Sequence, residues 1–240
     1  MQENKTDYEF EITRPHGTGR LYNYLIHYKF EKAIKKFPFE IKGLKLLDIC
    51  CGSGMISEYY AAEGAMVTGI DFSQEAVNRA NQRKEKYKFQ AEFDTGDAQN
   101  LAFPDNSFDI VSVHDGLHHL KDTAKAVKEM ARVSRQGIVI IEPAKCLLTE
   151  ISILAGISLR YEGPDFVYRL EEKETRQWLE ESGFKKVFVK RYIMYYPHKP
   201  GIFFKILGLP MLFQLYKLCF TLGNALFGRF GNKIQIIGLK

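Results

Sequence analysis

The stretch Leu44-Lys45-Leu46-Leu47-Asp48-Ile49-Cys50-Cys51-Gly52-Ser53-Gly54 constrains the fold more than any other part of the chain. Leu44, Leu46, Leu47 and Ile49 make a short apolar run with little charge, the composition of a strand buried on both faces of a parallel sheet. A glycine turn follows, and Met55 to Glu63 predicts a helix closed by Gly64. Strand, glycine turn and helix N-terminus together bring backbone N–H groups close to a bound nucleotide. A second apolar stretch, Ala65 to Ile70, then delivers Asp71 about 20 residues after the glycines. A carboxylate there can accept hydrogen bonds from both hydroxyls of a ribose.

Taken alone, Gly52-Ser53-Gly54-Met55-Ile56-Ser57 reads G-x-G-x-x-S. A dinucleotide site, an S-adenosylmethionine site and a plain tight turn each fit that pattern. The rest of the chain has to choose among them. Residues 12 to 40 predict a helix, with Leu21, Leu25 and Tyr28 on one face and Ile26, Phe30, Ala33, Ile34 and Phe37 extending the stripe to Pro38. Preceding the first strand, this helix can lie across the sheet's carboxyl edge. The turn-forming segment before it, Arg14 to Arg20, reads either as an ordinary capped loop or as a lid whose Arg20 or Tyr24 helps hold a cofactor carboxylate.

Beyond Asp71, Ser73 caps a helix to about Tyr87, with Glu75 in its first turn and basic residues later, as the helix dipole prefers. Phe89 to Asp94 predicts a third strand, Gly96-Asp97-Ala98 a turn, and Phe108 to Val113 a fourth strand ending at His114. A helix from Lys121 to Val133 leads to Gly137, which opens a strand from Ile138 to Ile141. Thr175 to Glu181 is the core of another helix, Lys186 to Tyr195 alternates as a strand, and Ile234 to Leu239 is the last strand. Strands alternating with helices predict an α/β fold, a doubly wound, mostly parallel sheet. At 240 residues and 45% hydrophobic, the chain suits one elaborated domain.

Read in order, Leu46 to Gly54, then Gly69-Ile70-Asp71-Phe72-Ser73, then Gly96-Asp97-Ala98 with Leu101 and Pro104, then Ser107 to Val111, resemble the class I S-adenosylmethionine-dependent methyltransferases. Glu129-Met130-Ala131-Arg132-Val133, leading into Gly137, is similar to that family's helix before its fifth strand. The resemblance covers about residues 40 to 142. It implies a seven-stranded Rossmann-like sheet whose last strand is antiparallel and inserted beside the fifth. It also implies S-adenosyl-L-methionine as cofactor. In that family's roles, Asp48 steadies the glycine loop and faces the cofactor's amino-acid end. Gly52 and Gly54 let the backbone pass close to the methionine moiety, Asp71 holds the ribose diol, and Phe72 lies against the adenine. Asp97 accepts from the adenine amino group, the Ala98 backbone reads the ring edge, and His114 contributes backbone near the sulfonium. The family usually has glycine where this chain has Cys50, so the approach of the backbone there is the point of departure. A dinucleotide site would want a third glycine at Ser57 and has no use for the Gly96-Asp97-Ala98 turn.

Methyl transfer from a sulfonium needs donor and acceptor in line, water excluded and, for some acceptors, a proton removed. The candidate base lies in His114-Asp115-Gly116-Leu117-His118-His119, after the fourth strand, where ligands of such folds bind. His118 is the expected base and Asp115 its orienting partner or an acceptor contact; packing and capping roles are the structural alternative. A metal site built from His114, Asp115 and His118 lacks a second supporting cluster, and none is expected.

The acceptor has to be read from two apolar stretches and from charge. Cys146 to Leu159 and Ile202 to Phe227 are extra to the minimal fold, the latter carrying only Lys205 and Lys217. Gln214, Lys217, Thr221 and Asn224 fall on one narrow stripe of an otherwise apolar helix, which calls for a protein partner or lipid. The longest charge-free run there, Ile206 to Tyr216, is shorter than the roughly 20 residues of a membrane span. After Glu181 there are ten Lys or Arg and no Asp or Glu, within a chain of net charge +5. Such asymmetry suits an anionic neighbour.

The expectation is therefore an N-terminal helical lid over 1–40 and a methyltransferase domain over 41–240 with an apolar insertion at about 198–230. It acts on a small lipophilic acceptor at oxygen or carbon, in the cytoplasm, and meets an anionic membrane surface. A cap packed on the domain with no lipid role is the structural alternative for Ile202 to Phe227. A reduced compartment suits the four scattered cysteines, and the polar, acidic Met1 to Glu11 is not a secretory signal. The alternatives are a cofactor-binding regulator without turnover, and an RNA methyltransferase using Tyr192, Tyr195 and Tyr196 beside Lys190, Arg191 and Lys199. Nucleic acid ranks below lipid because the neighbouring residues are aliphatic.

Overall fold

The computed structural model describes residues 19–154, 161–162, 165–166, 168–194 and 202–240. In chain order it has α1 (Gly19–Ile34), β1 (Lys45–Ile49), α2 (Met55–Ala62), β2 (Met66–Asp71), α3 (Gln74–Tyr87), β3 (Ala91–Thr95) and β4 (Phe108–His114). Then follow α4 (Thr123–Val133), β5 (Ser134–Pro143), α5 (Leu147–Leu154), α6 (Glu172–Glu181), β6 (Lys186–Tyr192), α7 (Ile202–Leu207), α8 (Pro210–Phe227) and β7 (Lys233–Leu239). The seven strands form one sheet in the order β3-β2-β1-β4-β5-β7-β6. β1 to β5 pair in parallel, and β7 runs antiparallel between β5 and β6. This is the Rossmann-like methyltransferase sheet that the motifs imply, reversed strand included.

Period-two alternation divides each central strand between two cores. Leu46, Ile110, Val139, Ile141, Ile237 and Leu239 face α1 and α2. Leu47, Val111, Val113, Ile138, Ile140, Ile234 and Ile236 face the α4 and α6 side, meeting Val127, Met130 and Leu179. Both faces are apolar because both are covered, which is why β1 reads as a run rather than an alternation.

Several boundaries differ from expectation. β5 starts at Ser134, directly after α4, and Gly137 lies inside the strand. A Cβ at Gly137 would stand 2.8 Å from the Gly238 carbonyl oxygen, so this glycine serves close strand approach rather than a turn. Among the described residues α1 ends at Ile34 rather than near residue 40, and it does not simply cross the sheet edge. Ile26, Phe30 and Ala33 pack on one sheet face, while Leu21 and Leu25 join Tyr192, Met194, Phe204 and Phe213 in a third cluster. The helix is thus wedged between the sheet and α7–α8. The Arg14–Thr18 part of the expected N-terminal turn, Ala155–Leu159 of the first apolar stretch, and Tyr195, Tyr196 and Lys199 lie outside the described residues.

Candidate active site

The glycine loop is fixed by two carboxylates. Asp48, buried near the end of β1, accepts a 2.6 Å hydrogen bond from Ser57 Oγ in the first turn of α2. Burial pushes its pKa up to about 7, with the Ser57 bond opposing and the charge of Asp71 adding to the rise. Asp71, at the end of β2, accepts from the Gly52 N–H through Oδ2 (2.9 Å) and from the Ser73 N–H through Oδ1 (3.0 Å). Among the described residues each oxygen thereby takes one bond from the protein and keeps acceptor capacity for a ligand hydroxyl.

Gly52 has φ 53° and a Cβ there would enter open space, whereas Gly54 has φ 73° and its Cβ would stand 2.8 Å from the Phe93 ring. The first glycine leaves room over the loop; the second lets α2 start against β3. Phe72 follows Asp71 and is 84% exposed, an apolar ring in solvent beside a carboxylate with spare acceptor capacity. Asp97 accepts from the Gln99 N–H (2.8 Å), and Ala98 is buried beneath that turn. An exposed ring for adenine, a carboxylate for a diol and open space above Gly52 fit S-adenosylmethionine.

Cys50 explains why glycine is favoured at its position. Its φ of 52° is left-handed, a conformation costing a residue with a side chain about 1–2 kcal/mol. Its thiol, pushed well up by burial and the carboxylates of Asp71, Glu142, Asp48 and Asp97, stays protonated. The side chain presses on Gly116, where a Cβ would come within 2.5 Å of Cys50 Cβ. The turn after β4 therefore rests directly on the cofactor loop.

That turn carries the second half of the site. Glu142, fully buried on β5, accepts from the Gly116 and Leu117 N–H groups at 2.8 Å each and pairs with His118 Nδ1 at 2.7 Å. Burial works against the charged imidazole of His118, but the hydrogen bond and charge of Glu142 outweigh it and raise its pKa. His118 and His119 also line an open cleft of about 440 Å³ with Asp122, Tyr168, Glu174 and Trp178, so the imidazole is within reach of solvent or a ligand.

Glu142 is the carboxylate seen at His118 Nδ1, while Asp115 pairs with other cations. Asp115 has φ 47° and pairs with Lys233 Nζ at 2.5 Å and with His114 Nε2 at 3.2 Å. Burial opposes its carboxylate, and His114, Lys233 and Lys29 outweigh that, holding it well below the usual range. Lys29, fully buried in α1, meets His114 Nε2 at 2.5 Å and lies 3.9 Å from Asp115 Oδ2. Burial lowers the pKa values of both Lys29 and His114.

Eight of the ten expected cofactor residues, Asp48, Cys50, Gly52, Gly54, Asp71, Phe72, Asp97 and Ala98, line the ends of β1 to β3 and the loops that follow, and His114 ends β4 beside them. Arg20 stands apart: it is exposed, with its guanidinium 5.7 Å above the Phe213 ring of α8. Tyr24 likewise packs on Phe213 and Phe220. Glu142, Lys29 and Lys233 are not among the residues the sequence points to, and Tyr192 enters there only as a base-stacking candidate. Glu142 had a readable signal, a single carboxylate closing an apolar strand as Asp48 and Asp71 do. Lys29 sits within an apolar helical stripe, where a cation reads as a flank residue. Tyr192 is 1% exposed, so it cannot serve as a stacking platform for a nucleic-acid base. Among the described residues no group of three or more His, Cys, Asp or Glu is placed to hold a metal ion.

Comparison with known proteins agrees with this geometry. The methyltransferase domain family matches residues 47–141. A demethylmenaquinone methyltransferase of Staphylococcus epidermidis is 34% identical over 150 residues, 60% of this chain and 61% of that one. The counterpart in Listeria welshimeri is 30% identical over 191 residues, covering 75% and 80%. The match thus spans under two thirds of the Staphylococcus epidermidis relative's length and four fifths of the Listeria one's. Among solved structures, a SAM-dependent methyltransferase from Aquifex aeolicus superposes with TM-score 0.59 at 18% identity, covering 99% of each chain. Magnesium protoporphyrin IX methyltransferase from Synechocystis, with bound SAH, gives 0.58 at 19% identity, covering all of this chain and 89% of the other. At those identities the structures speak for the fold, while the sequence relatives speak for descent. The chain belongs to the class I S-adenosylmethionine-dependent methyltransferases.

Proposed function

We propose that the protein transfers the methyl group of S-adenosylmethionine to carbon or oxygen of a small lipophilic, quinone-like acceptor. The observation that carries this reading is an aromatic wall whose Tyr192 is near enough to Asp115 to feel its charge. Tyr24 and Tyr28 of α1, Tyr192 and Met194 at the end of β6, and Phe213 and Phe220 of α8 pack together there. Tyr28 meets Phe220 at 5.0 Å and Tyr192 at 6.0 Å between ring centroids. Within it the buried Tyr192 hydroxyl has no hydrogen-bond partner among the described residues. An apolar surround with one unspent hydroxyl suits a flat apolar ligand bearing a single oxygen. The curated relatives are named for a demethylmenaquinone, which supports the same acceptor class.

The cofactor supplies an electrophilic methyl group on a sulfonium. The chain's own residues do the rest. Asp71 and the glycine loop fix the donor end, and the aromatic wall excludes water from the acceptor. The bond from the acceptor's carbon or oxygen to the methyl carbon forms as the sulfur–methyl bond breaks, and the sulfur keeps that electron pair. Where the acceptor must lose a proton, His118 Nε2 receives it while Glu142 holds Nδ1. Asp115, engaged with Lys233, positions His114 rather than taking a proton.

The test is turnover of a demethylated quinone with labelled donor by the intact protein and by His118→Ala. The reading expects labelled quinone, and a loss of about 10²–10⁴-fold in kcat with little change in adenosylhomocysteine affinity. Unlabelled quinone alongside a labelled RNA fraction would overturn the acceptor class. Unchanged turnover across pH in the variant would remove His118 as base.

A further inference from the structure

The inner side of α8 joins the aromatic residues Phe213, Tyr216 and Phe220 to part of the polar stripe, while Gln214 stays exposed. Lys217 Nζ lies over the Tyr24 and Phe213 rings at 5.5 and 5.6 Å. Asn224 clasps the Ile193 backbone, accepting from N–H at 2.7 Å and donating to the carbonyl at 3.1 Å. Thr221 is hydrogen-bonded with Tyr24. On the outward side Met211, Leu215, Leu218, Leu222 and Leu226 recur at helical spacing, and each is more than half exposed, Met211 by 80%. Ile202 and Phe203 of α7 extend the surface, and Phe227 and Phe230 close its far end. Monomeric proteins rarely leave so long an apolar stripe in water.

The occupant is indicated by charge. Lys205 stands exposed among the α7 apolar residues, and Arg229 lies 4.5 Å from the Phe230 ring. No acidic residue follows Glu181, so nothing on this segment offers a second copy of the chain a counter-charge. Leucines rimmed by cations, without carboxylates, match the headgroup and acyl boundary of an anionic bilayer. Among the described residues no helix is long and apolar enough to cross a membrane, so the geometry is that of a helix lying in the interface.

Position supports the same reading. α8 meets the end of β6, where Asn224 holds the Ile193 backbone, and at the same end of the sheet the Ala144 N–H donates to Asn232 O and Arg191 Nη1 donates to Lys145 O. From that end α5 leaves with Leu147, Ile151 and Leu154 exposed. The inner side of α8 packs on α1 at Tyr24 and Tyr28, and one residue after Tyr28 is Lys29, bonded to His114. A bilayer on the outer side of α8 would therefore lie one helix thickness from the acceptor wall.

We propose that the α7–α8 hairpin lies in the interface of an anionic bilayer and that the acceptor enters from that bilayer. The second half of this statement rests on the lipophilic acceptor argued above; the first does not. The experiment is flotation of the full chain with vesicles of phosphatidylcholine alone or mixed with phosphatidylglycerol, at low and high salt. It is repeated with Leu215→Gln/Leu218→Gln/Leu222→Gln and with Lys205→Gln/Arg229→Gln. Adenosylhomocysteine affinity and circular dichroism are measured alongside to show that each variant is folded.

The expected result is binding to the mixed vesicles at low salt, weakened by salt and by the charge variant. Partitioning should fall about tenfold for each leucine lost, with adenosylhomocysteine affinity unchanged. Failure of the intact protein to float with either vesicle, or equal flotation of the triple variant, overturns the proposal. So does a dimer in solution that the triple variant converts to monomer without any flotation, since the stripe would then be a self-interface. Methylation of a water-soluble, short-tailed quinone is scored separately: turnover without flotation sinks the membrane claim alone. Flotation without turnover of any quinone sinks the acceptor reading and leaves the surface standing.

Discussion

Replacing Glu142 with glutamine tests how the post-β4 turn is held. The carboxylate is fully buried and makes three hydrogen bonds, two from backbone N–H groups at 2.8 Å and one with His118 Nδ1 at 2.7 Å. Glutamine keeps the shape. Its carbonyl can retain the two backbone bonds, but its NH₂ then faces Nδ1, which must become an acceptor. One charge-assisted bond is lost and two are weakened, a cost of about 2–4 kcal/mol at roughly 1.5–3 kcal/mol per bond to a charged group. That is a large share of the roughly 5–15 kcal/mol stabilising a domain, and should lower the urea midpoint by about 1 M or more.

The pH dependence follows from the direction of the His118 shift. A raised folded-state pKa contributes stability that is fully present below the ordinary imidazole value of 6.5 and is lost as pH rises through the folded value. The variant lacks that contribution, so the gap to the intact protein should be widest in acid and narrow as pH rises. Urea unfolding across pH, with the His118 ring followed by NMR, measures both. A midpoint within about 0.2 M of the intact protein, or an unmoved His118 titration, would refute the reasoning.

Three further outcomes follow from the same geometry. Phe72→Ala should weaken adenosylhomocysteine binding by about 1–3 kcal/mol, the usual worth of a stacked base, while thermal stability stays within about 0.5 kcal/mol because the ring is exposed. Asp48→Asn should remove a fall in stability between the ordinary carboxylate pKa and about 7, making the variant relatively more stable at pH 8 than at pH 4, as unfolding at the two pH values will show. Gly116→Ala should cost about 1–3 kcal/mol by driving a methyl into Cys50, and Cys50→Gly in the same chain should recover most of it; equal destabilisation in both backgrounds, by denaturant unfolding, would show that the contact does not matter.

What was legible in the sequence was whatever repeats locally. β1, the glycine turn and Asp71 lie within 28 residues of one another and depend on nothing distant, so their order named the fold and the cofactor cleft. Asp71 donating no bond but accepting two, and Gly52 opening onto empty space, are what that order requires. The post-β4 turn was legible only in part. His118 is the base that the sequence suggests, but its hydrogen-bond partner comes from β5, 24 residues on, whereas adjacency in sequence points to Asp115. Asp115 pairs with Lys233, 118 residues away, and no local pattern could show that. The insertion was recognised as apolar with a polar stripe. Which side of α8 faced inward depended on Tyr24 and on the Ile193 backbone, both outside the helix.

The account's central claim is that the loop bearing Gly52 and the carboxylate of Asp71 grip one S-adenosyl ligand. Titration calorimetry of adenosylhomocysteine into the intact protein and into Asp71→Ala tests it most directly. The account predicts saturable heat for the intact protein and at least about tenfold weaker binding for the variant, since a single hydrogen bond to a charged group is worth about 1.5–3 kcal/mol. No heat from the folded, intact protein, or the same affinity once the carboxylate is gone, would contradict it.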